Sequence, residues 1–424
     1  MVSYLKFLIK VRLISSLRSF LVFFGPRINK QGWENRILVV YLEAIGDTVV
    51  LTSILKHFKS AFPGKEIYFL TPIFDIRGVV GPFVDRVVTL DYKRFVRDPF
   101  YGAVFIGELK KIGFETVINS DHSAAEVIGK IISVSLSAKN IIGYEGFGLS
   151  FNHPLDLNMK KNVEFVSKRI YPRFTTLIPS IDKGVPHNGV LKNVIEHFIN
   201  FYEQISNRKE NDYSPLIKVE RQAETKVDDI LRTHGLSSRP FVIINLGSSS
   251  RWKNWPVERF VEVSEEFGDK NISVVLIGSL KERSLAGKFI NRYKGPAVDL
   301  VGQLTILEVA VLIEKSLLVF SNDTAPIHLA VALKKPSICI LGGGHFGKIS
   351  LYGYRDINRW VYKELDCFGD NWRCTLNLKS NQIAPCINTI KIEDVRLVIK
   401  EMLQYISSTP GLPKEKFSLS FVNQ

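Results

Sequence analysis

A chain of 424 residues, 46% hydrophobic and 23% charged, holds enough apolar material for two ordinary domains and too much for a disordered chain. Its formal net charge of +14 biases encounters toward anions: nucleic acid, an anionic membrane surface and phosphorylated sugars all fit. No zinc-finger, RRM or helix-turn-helix pattern supports nucleic acid, four cysteines argue against a disulfide scaffold and fit the cytoplasm, and no run of roughly 18 apolar residues offers a spanning helix.

The chain opens on Met1–Gly25, apolar but punctuated by Lys6, Lys10, Arg12 and Arg18. It reads either as a helix packed on the main body or as a peripheral contact with anionic lipid headgroups on the inner face of the cytoplasmic membrane. Arg36–Leu42 is a continuous apolar run of strand length, typical of a parallel strand buried on both faces. Glu43–Asp47 turns the chain into a helix over Thr48–Ser60. Glu66–Leu70, Arg86–Leu90, Glu115–Asn119 and Lys139–Ile142 read as further strands, with a helix over Ala124–Ile132. Regularity fades between Phe151 and Asn188, Asn188–Ile205 looks helical, and Ser206–Ser214 is a polar connector. A second alternating series follows, with strands at Phe241–Leu246, Ile272–Ile277, Ala297–Leu300, Leu317–Phe320 and Ser337–Leu341, and a closing helix at Ile392–Tyr405. Periodicity therefore predicts two α/β domains with open parallel sheets. The expected division is a basic extension over 1–35, a first domain over 36–205, a linker over 206–239, a second domain over 240–390, and a terminal helix and tail over 391–424.

Leu318–Gly344 organises the chemistry. An apolar strand stops at Ser321-Asn322-Asp323, and Pro326 sits where a first helical turn tolerates a missing N–H. A helix start at a strand's carboxyl end offers N–H groups and positive dipole to an anion. Thr324 adds a hydroxyl there and His328 lies one turn later. The same residues also suit an ordinary capped crossover. Gly46-Asp47 lies at the carboxyl end of the first strand, where Asp47 is either a helix cap or a general base. Gly247, Ser248 and their small neighbours form a loop able to bring N–H and hydroxyl donors to phosphate, and Lys253 follows with a mobile positive charge. Glu282, after the Gly278 turn, is either a first-turn residue favoured by the helix dipole or an acceptor for ribose hydroxyls. Lys93, Arg94 and Arg97 form a basic loop that could meet an acidic acceptor, although a solvated charge run is the commoner arrangement. Cys367, Cys374 and Cys386 cluster without a standard zinc spacing. They read as structural thiols, with a metal left open.

Asp323, Thr324, Pro326, His328, Leu329, Ala330, Ala332, Leu333 and Pro336 resemble the signature of glycosyltransferase family 9, the ADP-heptose:lipopolysaccharide heptosyltransferases and their relatives, roughly D-[TS]-G-P-x-H-L-A-x-A-L-x-x-P. Ala325 replaces the usual glycine. Gly247, Lys253, Trp255 and Pro256 match the family pattern G-x-x-x-x-x-K-x-W-P, and Gly46-Asp47 matches its Gly-Asp, although Thr52-Ser53-Ile54 lacks the proline that usually follows. The resemblance covers about Arg36–Tyr405. It implies a GT-B fold of two Rossmann-like domains with the active cleft between them, the first for the acceptor and the second for the nucleotide sugar. It also implies inverting transfer from an ADP-sugar, with Asp47 as base. Gly247, Ser248, Lys253, Glu282, Asp323, Thr324, Ala325 and His328 would hold the donor, and Lys93, Arg94 and Arg97 the acceptor. The implied partners are a nucleotide sugar and a lipid-linked or phosphorylated glycan. No cofactor is expected and no metal, since the chain lacks an Asp-x-Asp motif. Two other readings share these features: a sugar-nucleotide epimerase of GT-B shape, and a non-catalytic basic module that binds membranes or polyanions.

Overall fold

The structure, a computed structural model, describes residues 33–121, 126–145, 168, 170–179, 181, 192–219, 221–344, 346–369, 372, 378–379, 382–409 and 413–419. The basic N-terminal segment and Cys374 lie outside these residues, as do the starts of the helices expected at Ala124 and Asn188.

Two six-stranded parallel sheets carry the fold. The first contains β1 (Arg36–Val40), β2 (Glu66–Thr71), β3 (Arg86–Thr89), β4 (Thr116–Asn119), β5 (Asn140–Glu145) and β6 (Thr176–Pro179), in the order β3-β2-β1-β4-β5-β6. The second contains β7 (Phe241–Asn245), β8 (Ser273–Ile277), β9 (Ala297–Asp299), β10 (Leu318–Asn322), β11 (Ser337–Ile340) and β13 (Asn358–Val361), in the order β13-β11-β10-β7-β8-β9. Numbered from its own first strand, the second sheet has the same Rossmann order as the first. A two-residue strand, β12 (Gly353–Tyr354), pairs antiparallel with β14 (Phe417–Ser418) outside both sheets. The central strands are the ones the apolar runs predicted, because a parallel strand covered on both faces tolerates no polar alternation. All five residues of β7, β8 and β10 are buried. β6 and β13 were not anticipated.

By its internal contacts the chain divides into two compact units. The first comprises Met1–Ala44, Leu55–Gly184 and His197–Lys209; the second comprises Ile45–Ile54, Val185–Glu196 and Glu210–Gln424. The division thus departs from contiguous ranges: nearly all of helix α1 (Ile45–Leu55), which follows β1, groups with the second unit.

In the first unit, Leu38, Val40, Leu70, Val117 and Ile141 from four strands pack with Ile128, Ile131 and Ile132 of helix α2 (Glu126–Ser135). At the switch point of this sheet, between β1 and β4, the buried Asp121 accepts a hydrogen bond from the Leu42 amide at 2.5 Å, closing the carboxyl ends of the two strands together. In the second unit the core centres on Trp255, Phe260 and Phe320, all fully buried, with edge and tilted ring contacts between 4.8 and 6.4 Å. Trp255 precedes helix α3 (Val257–Gly268) and donates its indole N–H to the Ile390 carbonyl at 3.2 Å, ahead of helix α6 (Ile392–Ser408). Helix α4 (Ile306–Lys315) leads into β10 and starts on a capping box between Thr305 and Glu308. Helix α5 (Ala325–Ala332) joins β10 to β11 and is buried along almost its whole length.

Candidate active site in the second unit

In an open α/β sheet, ligands sit beyond the carboxyl ends of the strands where the strand order reverses. In the second sheet that point lies between β7 and β10, which pair in parallel from Leu318↔Val242 to Ser321↔Asn245. Two asparagines end these strands and stitch the site's floor. Asn245 donates to the Ile277 carbonyl at 3.2 Å, and its side-chain oxygen accepts from Ser321 and Thr324 at 3.4 Å each. Asn322 donates to the Leu246 carbonyl and accepts the Trp255 amide, both at 2.9 Å. A polar residue closing an apolar run is the signal for both, but neither asparagine was given a role from the sequence.

Thr324, not Asp323, occupies the cap position of α5, with extended backbone. Its hydroxyl turns back to Ser321 at 3.0 Å and the Asn322 carbonyl at 3.2 Å, so no side chain caps the helix start. Pro326 lies in the first turn behind Ala325. The uncapped helix start therefore presents its dipole to whatever lies beyond the strand ends. Asp323 keeps its amide bonded to Ile340 at 3.1 Å while its side chain is 27% exposed. Burial pushes its carboxyl up to about 6, against the pull of the Lys253 ammonium.

His328 is 4% exposed. Burial lowers it to about 4, so the imidazole is neutral at neutral pH, and its 3.9 Å approach to Asp323 is not an ion pair there. Its Nδ1 lies 2.5 Å from the Tyr352 hydroxyl and the two rings stack. Nothing in the sequence pointed to Tyr352, 24 positions away. The other side of the imidazole rests on Gly46, where an added Cβ would fall 2.5 Å from His328 Cδ2. The glycine of the β1–α1 turn is therefore required by the signature histidine. Next to it, Asp47 stands half-buried in the first turn of α1. Asp47 and Asp323 both act electrostatically on Lys253 and Tyr352. Burial lowers the Lys253 ammonium, and both carboxylates oppose that shift. Burial, then Asp323 and Asp47, push the Tyr352 hydroxyl far up. Cys339 in β11 is buried as well, its thiol raised by burial and by Asp323.

Glu282 takes the first-turn place: one carboxylate oxygen accepts the Ser279 amide in a capping box, while the other lies against Gly247. A Cβ at Gly247 would overlap the Glu282 side chain, so any larger residue here must displace that carboxylate. Ser248 is engaged inside its own loop, bonding the Ser250 carbonyl at 2.8 Å and Asn254 at 2.6 Å. Lys93, Arg94 and Arg97 belong to the first unit and are not in a loop: they sit on a short helix, Tyr92–Arg97, capped by Asp91. Arg94 is held by Asp98 at 3.4 Å and lies over the Tyr101 ring, and like Lys93 and Arg97 it is exposed. Among the described residues no group of three or more His, Cys, Asp or Glu side chains is arranged to hold a metal, and no helix is long and apolar enough to cross a membrane.

The arrangement can bind an anion beside a hydroxyl-rich group and deprotonate a nucleophile near it. A family model described as glycosyltransferase family 9 (heptosyltransferase) matches residues 183–374, the stretch that holds Lys253, Glu282, Asp323 and His328 but not Asp47. The chain is 22% identical over 379 residues to lipopolysaccharide heptosyltransferase 1 of Campylobacter coli, covering 87% of this chain and 98% of the relative. It is 23% identical to the lipopolysaccharide core heptosyltransferase OpsX of Haemophilus influenzae, covering 71% and 77%. Among solved structures, a family 9 glycosyltransferase from Veillonella parvula superposes with a TM-score of 0.67 at 17% identity, over 91% of this chain and 99% of that one. The ADP-heptose lipopolysaccharide heptosyltransferase II of E. coli superposes at 0.60 with 15% identity, over 87% and 99%. With two Rossmann-ordered sheets, the signature residues at the second sheet's switch point, and these relatives along most of its length, the chain has the GT-B fold and is similar to the glycosyltransferases of family 9.

Proposed function

We propose that the protein transfers a sugar, a heptose by its kinship, from an ADP-sugar to a bacterial surface glycan such as a lipopolysaccharide core, with inversion at the anomeric carbon. One observation supports this reading: Asp47 and Asp323 both act electrostatically on Lys253 beside the Thr324 helix start, which is left uncapped. In a single in-line step, Asp47 takes the proton of the acceptor hydroxyl as its oxygen attacks the anomeric carbon and the bond to the diphosphate breaks. Lys253 and the α5 helix start offset the charge that develops on the leaving oxygen; one such donor is typically worth about 3–4 kcal/mol. Asp323 accepts hydrogen bonds from sugar hydroxyls, and the Glu282 carboxylate beside Gly247 accepts from the ribose. Ala325 and His328 shape the pocket wall, Ser248 orders the Gly247 loop, and the exposed Lys93, Arg94 and Arg97 meet a phosphorylated acceptor. No metal or cofactor is needed for these steps. The enzyme would work in the cytoplasm, in peripheral contact with the membrane that carries its acceptor.

The test is product analysis with purified protein, ADP-heptose and a lipopolysaccharide-core acceptor, in excess EDTA. An inverted glycosidic product is expected, with Asp47→Asn lowering kcat by about 10²–10⁴-fold. Turnover of the donor without acceptor would point to an epimerase, and near-normal transfer by Asp47→Asn would remove Asp47 from the mechanism.

A further inference from the structure

Three features of the second unit remain unexplained by donor chemistry: Trp252, Trp372 and the three consecutive glycines Gly342–Gly344. They belong to one construction. The Lys253 ammonium lies 4.7 Å from the centroid of Trp372 and 5.1 Å from that of Trp252, and the two indoles meet edge to face at 4.7 Å. Trp372 in turn lies on the glycine loop: a methyl at Gly342 or Gly344 would overlap its ring, and one at Gly343 would overlap Phe368. The Gly369 amide bonds the Gly343 carbonyl at 2.8 Å, fastening the overlying segment to the loop. Trp372 holds φ at +63°, a region that a bulky side chain rarely occupies and that persists only where the surroundings over-determine it.

From this geometry we infer that Trp252 and Trp372 form an aromatic cradle that positions the Lys253 ammonium for the donor diphosphate, with Gly342–Gly344 as the bed that leaves room for it. Two indole faces attract an ammonium where water is scarce and withhold other acceptors. The lysine thus keeps its charge in one place while remaining available to phosphate. Asp323 and Asp47 are the charged groups that face it, and burial works against the charge. Trp252 and Trp372 are positioning residues: they act through Lys253. The inference rests on Lys253 binding the diphosphate.

The experiment compares Trp372→Leu and Trp372→Phe, which both keep the position apolar and partly filled, though only phenylalanine retains a ring face. Two quantities are read on the full chain: ADP affinity by calorimetry, and the pH profile of Lys253 modification by an amine-reactive reagent, located by mass spectrometry. In Trp372→Leu, ADP binding should weaken about tenfold and the Lys253 profile should move. Trp372→Phe should recover most of both. If Trp372→Leu binds ADP and labels as the wild type does, the cradle is overturned. It is equally overturned if the phenylalanine variant loses as much as the leucine variant, since bulk alone would then matter. The underlying reading fails separately, if Lys253→Ala leaves ADP affinity unchanged.

Discussion

Asp323 shows how one carboxylate is tuned by its place at a strand end. Burial raises it to about 6 even with the Lys253 ammonium nearby, so desolvation outweighs attraction. Because its folded value lies above the ordinary 3.8, its favourable contribution to stability is present below that value and is lost as pH rises through about 6. At pH about 7 the charge therefore opposes folding, and Asp323→Asn should raise the melting temperature there while changing little at pH about 4. His328 runs the other way. Its value is lowered to about 4, so its contribution is present above 6.5 and is lost as pH falls through about 4. If the ionised Asp323 grips sugar hydroxyls, ADP-sugar affinity should fall about tenfold between pH 7 and pH 5, and Asp323→Asn should flatten that profile. Asp323→Ala should weaken ADP-sugar much more than ADP, since a carboxylate accepts from hydroxyls but repels phosphate. Equal losses for both ligands, measured by calorimetry, would make Asp323 a structural residue.

At the scale of elements, the β1–α1 turn is linked to α5 through a single close approach, Gly46 against the His328 ring. Gly46→Ala should cost about 1–3 kcal/mol, as overpacking does, and His328→Ala in the same chain should relieve part of that loss. Additive losses in thermal unfolding of the single and double variants would show that the contact carries no coupling. This link also marks what was legible in the sequence. The central strands could be read because residues such as Val242–Ile244 and Leu318–Phe320 are buried on both faces and so form unbroken apolar runs. Two of the four edge strands could not: β6 is four residues ending in Pro179, and β13 is interrupted by Arg359. Asp47, Lys253, Glu282 and Asp323 were singled out through motifs, each at a strand-to-helix turn. Their environment was not, because Tyr352 and Trp372 come near these residues by tertiary packing across long sequence separations. Nor did spacing reveal that Thr324 rather than Asp323 would take the cap position, a choice decided by which side chain the strand end turns inward.

The charge of the whole molecule supplies a rate effect that no single residue does. A net +14 attracts anions from beyond contact range, and that attraction is screened over about 8 Å at physiological ionic strength. Raising salt should therefore lower kcat/KM for a phosphorylated acceptor by several-fold while leaving kcat nearly constant, since chemistry at the strand ends is shielded from bulk ions. Six basic and no acidic residues precede Gln31, so a chain starting there keeps +8 of the +14. If those residues only add to the overall field, the shortened chain should show a shallower salt dependence and the same retention on anionic and neutral vesicles as the full chain. If they dock the enzyme on the membrane that carries its acceptor, co-sedimentation with anionic vesicles should be lost on shortening, while kcat/KM on a soluble acceptor fragment changes only through its salt slope. The second outcome is expected, because Lys6, Lys10, Arg12 and Arg18 are set among apolar residues that a purely steering segment would not require. Equal vesicle binding by both chains would refute it.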